Sequence, residues 1–495
     1  MLKPQNNFSN RPTLSIFAVC TLLGALIFGP ASSTAQALDP SAITVLSSEN
    51  ISTVISNGVL KVYLNTFRPN DVVDFKVVFH NTQVLSVIND SAKVSVPVSG
   101  GLQFSSKSGS TLNQAAVTKI IREIDDENGN PIIQVFPAPP DFPITSYTGD
   151  TSLLQNSDML STPVVTEGTY AIAQSGTNIK FFIKSPNNLI GFRKLTDAKP
   201  DPTFSGTPFY GYLEQKDLTV SATSPGIWHL LDSRYQLVSR INEVKTKFGM
   251  YLPEGHGMTI APSGNPVVIT AITRTVDSSW LKRSYKLPIL DCDIAEVVNG
   301  VAVKEFSFWD WAVANKAASE PILDAMALFN DPQNPTSSPI DICHANSLQY
   351  YKATNEFLIS LRSPSLLFLL DSNLKVVKKT LNANSALQHF ARFVSKTEIT
   401  ALGNYSLDKF SKFLDFKLIN GDWKLREIPF PVHVTYCGNT QYLDSTHIWL
   451  GGGCGPFTAG VLGAIYKVSG DTMAQVGAVN MKGFNYSYSA DLIAN

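Results

Sequence analysis

Three histidines and one arginine carry the chemistry this sequence offers. His256 opens HGMTIAPSGNPVVITAI (256–272), His344 opens HANSLQYYKATNEFLISLR (344–362) and His389 opens HFARFVSKTEITALG (389–403). Each stretch reads as a strand, a polar turn and a returning strand. Three of the seven histidines therefore share one register, the start of an outgoing strand. Arg362 ends the second hairpin in an otherwise uncharged run, so the return places it beside His344. Asn346 follows His344 by two residues, and strand residues of like parity share a face, so the two are expected to point to one spot. Imidazoles, an amide and a guanidinium that converge suit a tetrahedral oxyanion, sulfate or phosphate. Three imidazoles also invite zinc. Arg362 argues against it, because a guanidinium is repelled by a dication, and no Asp or Glu is read at the equivalent strand starts. With an oxyanion bound, one imidazole is able to act as nucleophile and the others as donors or acid–base groups. A cation and other imidazoles nearby lower a histidine's pKa and keep a nucleophile neutral.

A second kind of hairpin alternates with these: HLLDSRYQLVSRI (229–241), DIAEVVNGVAVKEFSF (293–308), FLLDSNLKVVKKTL (368–381), FLDFKLINGDWKLREI (413–428) and AIYKVSGDTMAQVGAV (464–479). YLDSTHIWLGGG (442–453) belongs with the histidine type. Two hairpins in alternation make a four-stranded unit, and such units repeating at roughly 40–70 residues predict a β-propeller. The innermost strand of each blade lines a central channel, so equivalent strand starts meet in one ring. Residues 146–495 are assigned six blades, the faint pattern of 146–228 holding the first and part of the second. The insertion SFWDWAVANKAASEPILDAMALF (307–329) is read as carrying a helix. Upstream, KVYLNTF (61–67), DFKVVFH (74–80), KVSVPV (93–98) and NPIIQVF (130–136) predict a small β-sandwich over 38–145. The run Pro137-Ala138-Pro139-Pro140-Asp141-Phe142-Pro143 is a stiff boundary. The fold class is thus all-β: a six-bladed propeller after a small N-terminal sandwich.

Net charge is −1, only 16% of residues are charged and no basic stripe exists, so nucleic acid is not an expected partner. Lys3 and Arg11, the apolar stretch Leu14–Gly29 and the Ala35-Gln36-Ala37 motif read as a cleaved export signal over residues 1–37. Cys20 inside it lacks the context of a lipid-attachment site. No later apolar run is long enough to span a bilayer, so a periplasmic protein with no membrane partner is expected. Cys292, Cys343, Cys437 and Cys454 then remain for an oxidising compartment. Of three pairings, Cys292–Cys343 and Cys437–Cys454 are the more local.

These words, in this order, resemble the bacterial arylsulfotransferases, periplasmic six-bladed propellers that do not use the adenylyl-sulfate donor of animal enzymes. SVPVSGGL (95–102) and PPDFP resemble the close of the family's N-terminal sandwich, and GHGMTIAPSGNPVVI its His strand with a P-x-G-N turn. CHANSLQYYKATNEFLISLRSPSLLFLLD resembles its H-x-N-S…S-R segment, ALQHFARF (386–393) its Q-H-x-A motif, and NYSYSADLI (485–493) its closing Tyr-rich strand. The resemblance implies ping-pong transfer of a sulfuryl group from a phenolic sulfate donor to an acceptor phenol. It implies His389 as the transiently sulfated nucleophile, with Arg362, His344 and His256 on the sulfuryl oxygens and one of them as acid–base group. Asn346 is expected to orient His344 or bind an oxygen. No cofactor or metal is implied, and a homodimer is compatible with the sequence.

The chain departs from the family where Gly255 precedes His256, a place at which many members carry a second histidine. It departs again after Gln388-His389, where FVSKTEITALGN lacks the Gly-containing turn. Two readings of other classes stand beside this one: a metal-dependent hydrolase or lyase on the same fold, and a non-catalytic propeller that binds an anion or a protein. His80, His229, His433 and His447 read as structural or surface groups. Gly451-Gly452-Gly453-Cys454-Gly455 reads as a tight turn, without the features of a phosphate loop. Trp309, Trp311, Tyr350 and Tyr351 read as packing groups before phenol-stacking ones.

Overall fold

A computed structural model of the chain describes residues 141–196, 207–216, 224–281, 286–327, 339–384, 386–404, 410–453 and 460–494, and the backbone of strands between Ile43 and Phe136. The described part is all-β apart from helices Phe308–Ala314 and Lys316–Ala327 and two short 3-10 turns. Its sheets are arranged as a β-propeller. Their strands pair mostly antiparallel, with parallel pairs where Val244–Thr246 meets Val301–Ser307 and where Ile340–Asp341 meets Lys286–Val298, and the innermost strands lie side by side around a channel. In ring order these are Tyr486–Ala494, Leu189–Lys194, Pro253–Ile260, Ala345–Tyr351, His389–Ser395 and Asn439–Tyr442. Segments distant in sequence close the ring. Tyr486–Ala494 pairs with Ser157–Val165, and Ile144–Gly149 pairs with Thr472–Lys482.

The hairpins form where the sequence places them. Strands Lys286–Val298 and Val301–Ser307 are joined by Asn299-Gly300, with φ of 50° and 76°. Strands Lys412–Ile419 and Asp422–Pro429 are joined by Asn420-Gly421, with φ of 52° and 86°. Two residues at positive φ match the strand twist, which is why Asn-Gly is so strong a hairpin signal. The strands bury apolar rows between neighbouring sheets; Phe357, Phe368 and Leu370 pack toward Ile294 and Phe306.

The insertion after Ser307 carries two helices. Ser307 Oγ accepts the Asp310 amide at 3.1 Å, while Asp291 accepts the Trp309 amide at 3.0 Å and the Ser307 hydroxyl at 2.7 Å. Trp309 is core, and Trp311 meets Phe368 edge-on at 4.6 Å. Tyr351 stacks on Phe393 at 4.6 Å, and Tyr350 donates to Asn355 Oδ1 at 2.8 Å. All four aromatic groups are engaged in packing.

Asp293, on strand Lys286–Val298, is fully buried and neither carboxyl oxygen has a hydrogen bond. Burial, then the negative charges of Glu305 and Asp291, raise its pKa well above the carboxylate range. A raised folded-state pKa stabilises the fold only at low pH, and the benefit is lost as pH rises. Asp293→Asn is therefore expected to be more stable than the parent at pH 8, by about 1–3 kcal/mol. The gap should shrink as pH falls from 8 and close by about pH 4, where the carboxyl is protonated in both states, as measured by paired denaturant titrations.

Upstream, Ile43–Ser47, Val72–His80, Val87–Ser95, Gln103–Ser105 and Thr111–Asn113 form one sheet. Ile51–Ser56, Val59–Leu64, Ile133–Phe136 and Ile120–Ile121 form another. The segment read as an export signal, the side chain of His80, and Cys454 lie outside the described residues. Cys292 and Cys343 are disulfide-bonded, as their spacing suggested, with Cα atoms 6.1 Å apart. Cys437 is also held in a disulfide. Among the described residues no helix is long and apolar enough to cross a membrane.

Candidate functional site

The three histidines come from three adjacent inner strands and meet at one end of the channel. His256 lies on Pro253–Ile260, His344 immediately precedes Ala345–Tyr351, and His389 opens His389–Ser395. The His256 and His344 ring centroids are 5.2 Å apart. Arg362 returns to His344 as the hairpin requires, its amide donating to the His344 carbonyl at 3.0 Å. Its guanidinium has no ion pair among the described residues.

Every one of these strands is irregular where the site lies. Register shifts fall between Pro253 and Met258, between Ala345 and Ser347, and between His389 and Arg392. His344, Leu387 and Phe390 have φ of 44°, 46° and 51°. Positive φ is costly for side chains of this size, and bulges re-aim the residues they contain. The irregularity corrects one expectation. His344 and Asn346 do not share a face by simple alternation, because the shift between Ala345 and Ser347 breaks it. Asn346 is buried and donates to the Gln388 carbonyl at 2.6 Å. It therefore ties its strand to the residue before His389 and makes no bond to His344.

A second expectation is also corrected: carboxylates do stand at these strand starts. Glu254, two residues before His256, bonds the His256 Nδ1 and also accepts its backbone amide at 2.7 Å. Asp341 bonds the His344 Nδ1 at 2.6 Å. Each carboxylate fixes an Nδ1–H tautomer and leaves Nε2 for the channel. The spacings E-G-H and D-I-C-H were available in the sequence as signals. The Cys292–Cys343 bridge anchors the same turn, and the Ala345 amide lies 3.2 Å from Cys292 Sγ. Among the described residues no three His, Cys, Asp or Glu are grouped to hold a metal ion.

His389 is different. It is buried, and its Nδ1 has no hydrogen bond. Burial first, then the Arg362 guanidinium and the His256 and His344 rings, hold its pKa well below the ordinary imidazole value. These surroundings favour the neutral form of its ring.

Two further residues complete the site. Tyr488, on the closing strand Tyr486–Ala494, packs its ring 5.3 Å from His256, and its hydroxyl is buried without a partner. Burial and the Glu254 charge raise its pKa, so it remains a phenol. Arg193 lies beneath, its Nη1 donating to the His256 carbonyl at 2.9 Å and its guanidinium 5.0 Å from the Phe390 ring centroid. Gly255 is explained by packing. A Cβ there would lie 2.2 Å from Ile190 Cδ1, so a second histidine would displace that side chain. Further along the same inner strands a cavity of about 280 Å³ is lined by Met258, Tyr350, Phe393, Arg392 and Asp491, and the three histidines do not line it.

The remaining histidines stay apart. His229 stacks on Tyr212 at 4.8 Å and bonds Glu214 at 3.2 Å, while His447 pairs with Asp444 at 2.9 Å in a surface turn. His433 has a buried Nε2 without a hydrogen bond.

No family model and no curated protein matches the chain. Among solved structures it is similar to a catalytically inactive virginiamycin B lyase from Staphylococcus aureus with quinupristin, at 6% identity and a TM-score of 0.33, over 68% of this chain and 99% of that one. It is similar also to Kuenenia stuttgartiensis hydrazine synthase, at 10% identity and a TM-score of 0.30, over 62% and 75% of the two chains. For Kluyveromyces lactis Hsv2 the values are 9% and 0.30, over 70% and 96%.

Proposed function

We propose that this protein is an aryl-sulfate sulfotransferase that works through a sulfo-histidine at His389. The observation that carries the reading is a buried imidazole grouped with a guanidinium that has no ion pair and with two carboxylate-tethered imidazoles, surroundings that hold its pKa low. Such a set holds an oxyanion and offers it a nucleophile. His389 attacks sulfur, and the nitrogen–sulfur bond forms as the bond to the aryl oxygen breaks. The departing phenolate takes the Nε2 proton of His256 or His344 in its imidazolium form, while the Nδ1–H stays on the carboxylate. An acceptor phenol then returns that proton, attacks sulfur and releases His389. Arg362 meets the charge that gathers on the equatorial oxygens, and the protein's contribution is chiefly position and charge.

We read the sheets as six blades and the two upstream sheets as a small sandwich, with residues 1–37 as a signal that sends the chain to the periplasm. The test of the activity is intact-protein mass after mixing with a nitrophenyl sulfate. A gain of one sulfuryl group that disappears on adding phenol is expected. Nitrophenol release with no acceptor effect, or no adduct under single-turnover conditions, would count against transfer.

A further inference from the structure

The three site histidines are not tethered alike. His256 and His344 each give Nδ1 to a carboxylate. His389 has no carboxylate bonded to its Nδ1, and a polar side chain that interacts with its ring is Asn404, just beyond strand Glu398–Gly403. That strand is the partner of the His389 strand, with His389 opposite Leu402. Side chains two apart share a face, which places Asn404 on the Leu402 side.

The orientation of the Asn404 amide is fixed by its other end. Its Nδ2 donates to the Val434 carbonyl at 3.0 Å and to the Cys437 carbonyl at 2.7 Å. Both amide hydrogens are thus used, and a flipped amide would set its oxygen against two carbonyls. Cys437 is itself held in a disulfide, so that anchor is rigid. The Asn404 Oδ1 is buried with no donor, and the His389 Nδ1 is buried with no acceptor. A buried acceptor and a buried ring nitrogen left over on adjacent strands satisfy one another at little cost, whereas leaving both unpaired is expensive.

We propose that Asn404 is a positioning residue whose Oδ1 accepts the Nδ1–H of His389 and locks the ring in that tautomer. The Nε2 lone pair is then bare and faces Arg362, His256 and His344. The choice of an amide has a physical reason. A carboxylate orients a ring but also raises its affinity for a second proton, which suits an acid–base group. An amide orients without adding charge, which suits a nucleophile that must stay neutral. Resting on the sulfotransfer reading, the inference further assigns the new nitrogen–sulfur bond to Nε2.

The test is nitrogen NMR of the full chain labelled at histidine, with the His389 signals assigned by their loss in His389→Gln. The wild-type ring is expected to be the Nδ1–H tautomer at neutral pH. Asn404→Ala, checked for folding by circular dichroism, is expected to show a mixture of tautomers and a kcat lower by about 10–100-fold with KM little changed. Asn404→Asp is expected to move the acid limb of the pH–rate profile upward. An Nε2–H tautomer in the wild type, or an unchanged tautomer in folded Asn404→Ala, would overturn the inference. The wild-type spectrum decides even where the variants do not fold. A locked Nδ1–H tautomer in a protein that gains no sulfuryl group would instead leave the tautomer standing and remove the sulfotransfer reading.

Discussion

His389→Ala is expected to lower aryl-sulfate turnover by about 10⁴-fold or more, the scale on which removal of a nucleophile is felt. The covalent adduct should vanish with it. The substitution leaves a cavity beside Phe390, but the strand keeps its pairing with Glu398–Gly403, so folding should survive. Binding of the donor should persist, because Arg362, His256 and His344 remain. Isothermal titration with a non-transferable aryl sulfonate separates the two effects. Retained binding with no turnover is the expected pattern, while turnover near the parental rate would remove His389 from the mechanism.

Arg362→Gln carries the second large effect, and it acts twice. First, the charge on the sulfuryl oxygens in the transition state loses its cation, which should lower kcat by about 10²–10³-fold. Second, Arg362 is, after burial, the leading cause that depresses the His389 pKa. Removing it lets that value rise toward the ordinary imidazole range. The nucleophile must be neutral, so activity is lost as pH falls through its pKa. The acid limb of the profile should therefore move to higher pH in the variant. Arg362→Lys restores a charge but not the planar fork, so it should recover the pH profile more fully than kcat. An acid limb that stays in place in Arg362→Gln would show that the guanidinium does not govern His389.

The hairpins and the ring of histidines were legible because they rest on local signals. Asn299-Gly300 and Asn420-Gly421 announce their turns, and apolar alternation announces the strands on either side. Residues 146–228 were fainter for a physical reason. Ser157–Val165 and Gly168–Ser175 bury Ser161, Thr162 and Gln174 within their apolar runs, so alternation is blurred. What escaped was whatever depends on broken regularity or on distant partners. The positive φ at His344 and Phe390 leaves no mark in a period-two pattern. Asn346 was placed beside His344 by parity, and the bulge sends it to Gln388 instead. Tyr488 reaches His256 only through closure of the ring, and Asn404 lies just past the strand paired with that of His389, at the irregular end of the hairpin. Glu254 and Asp341 were the avoidable omissions, since both stand within three residues of the histidine they hold.

The double closure of the ring has a consequence for when the site comes into being. Tyr488 reaches His256 only after Tyr486–Ala494 has paired with Ser157–Val165, and Ser487 Oγ then bonds the Thr162 amide across 325 residues of chain. Pairings of that span are slow to form and come late. Until they do, His256 lacks the Tyr488 ring that packs against it in the closed propeller. The surroundings of His256 are thus among the last parts of the fold to be completed, and a product halted before Tyr486 would lack the aromatic wall on that side.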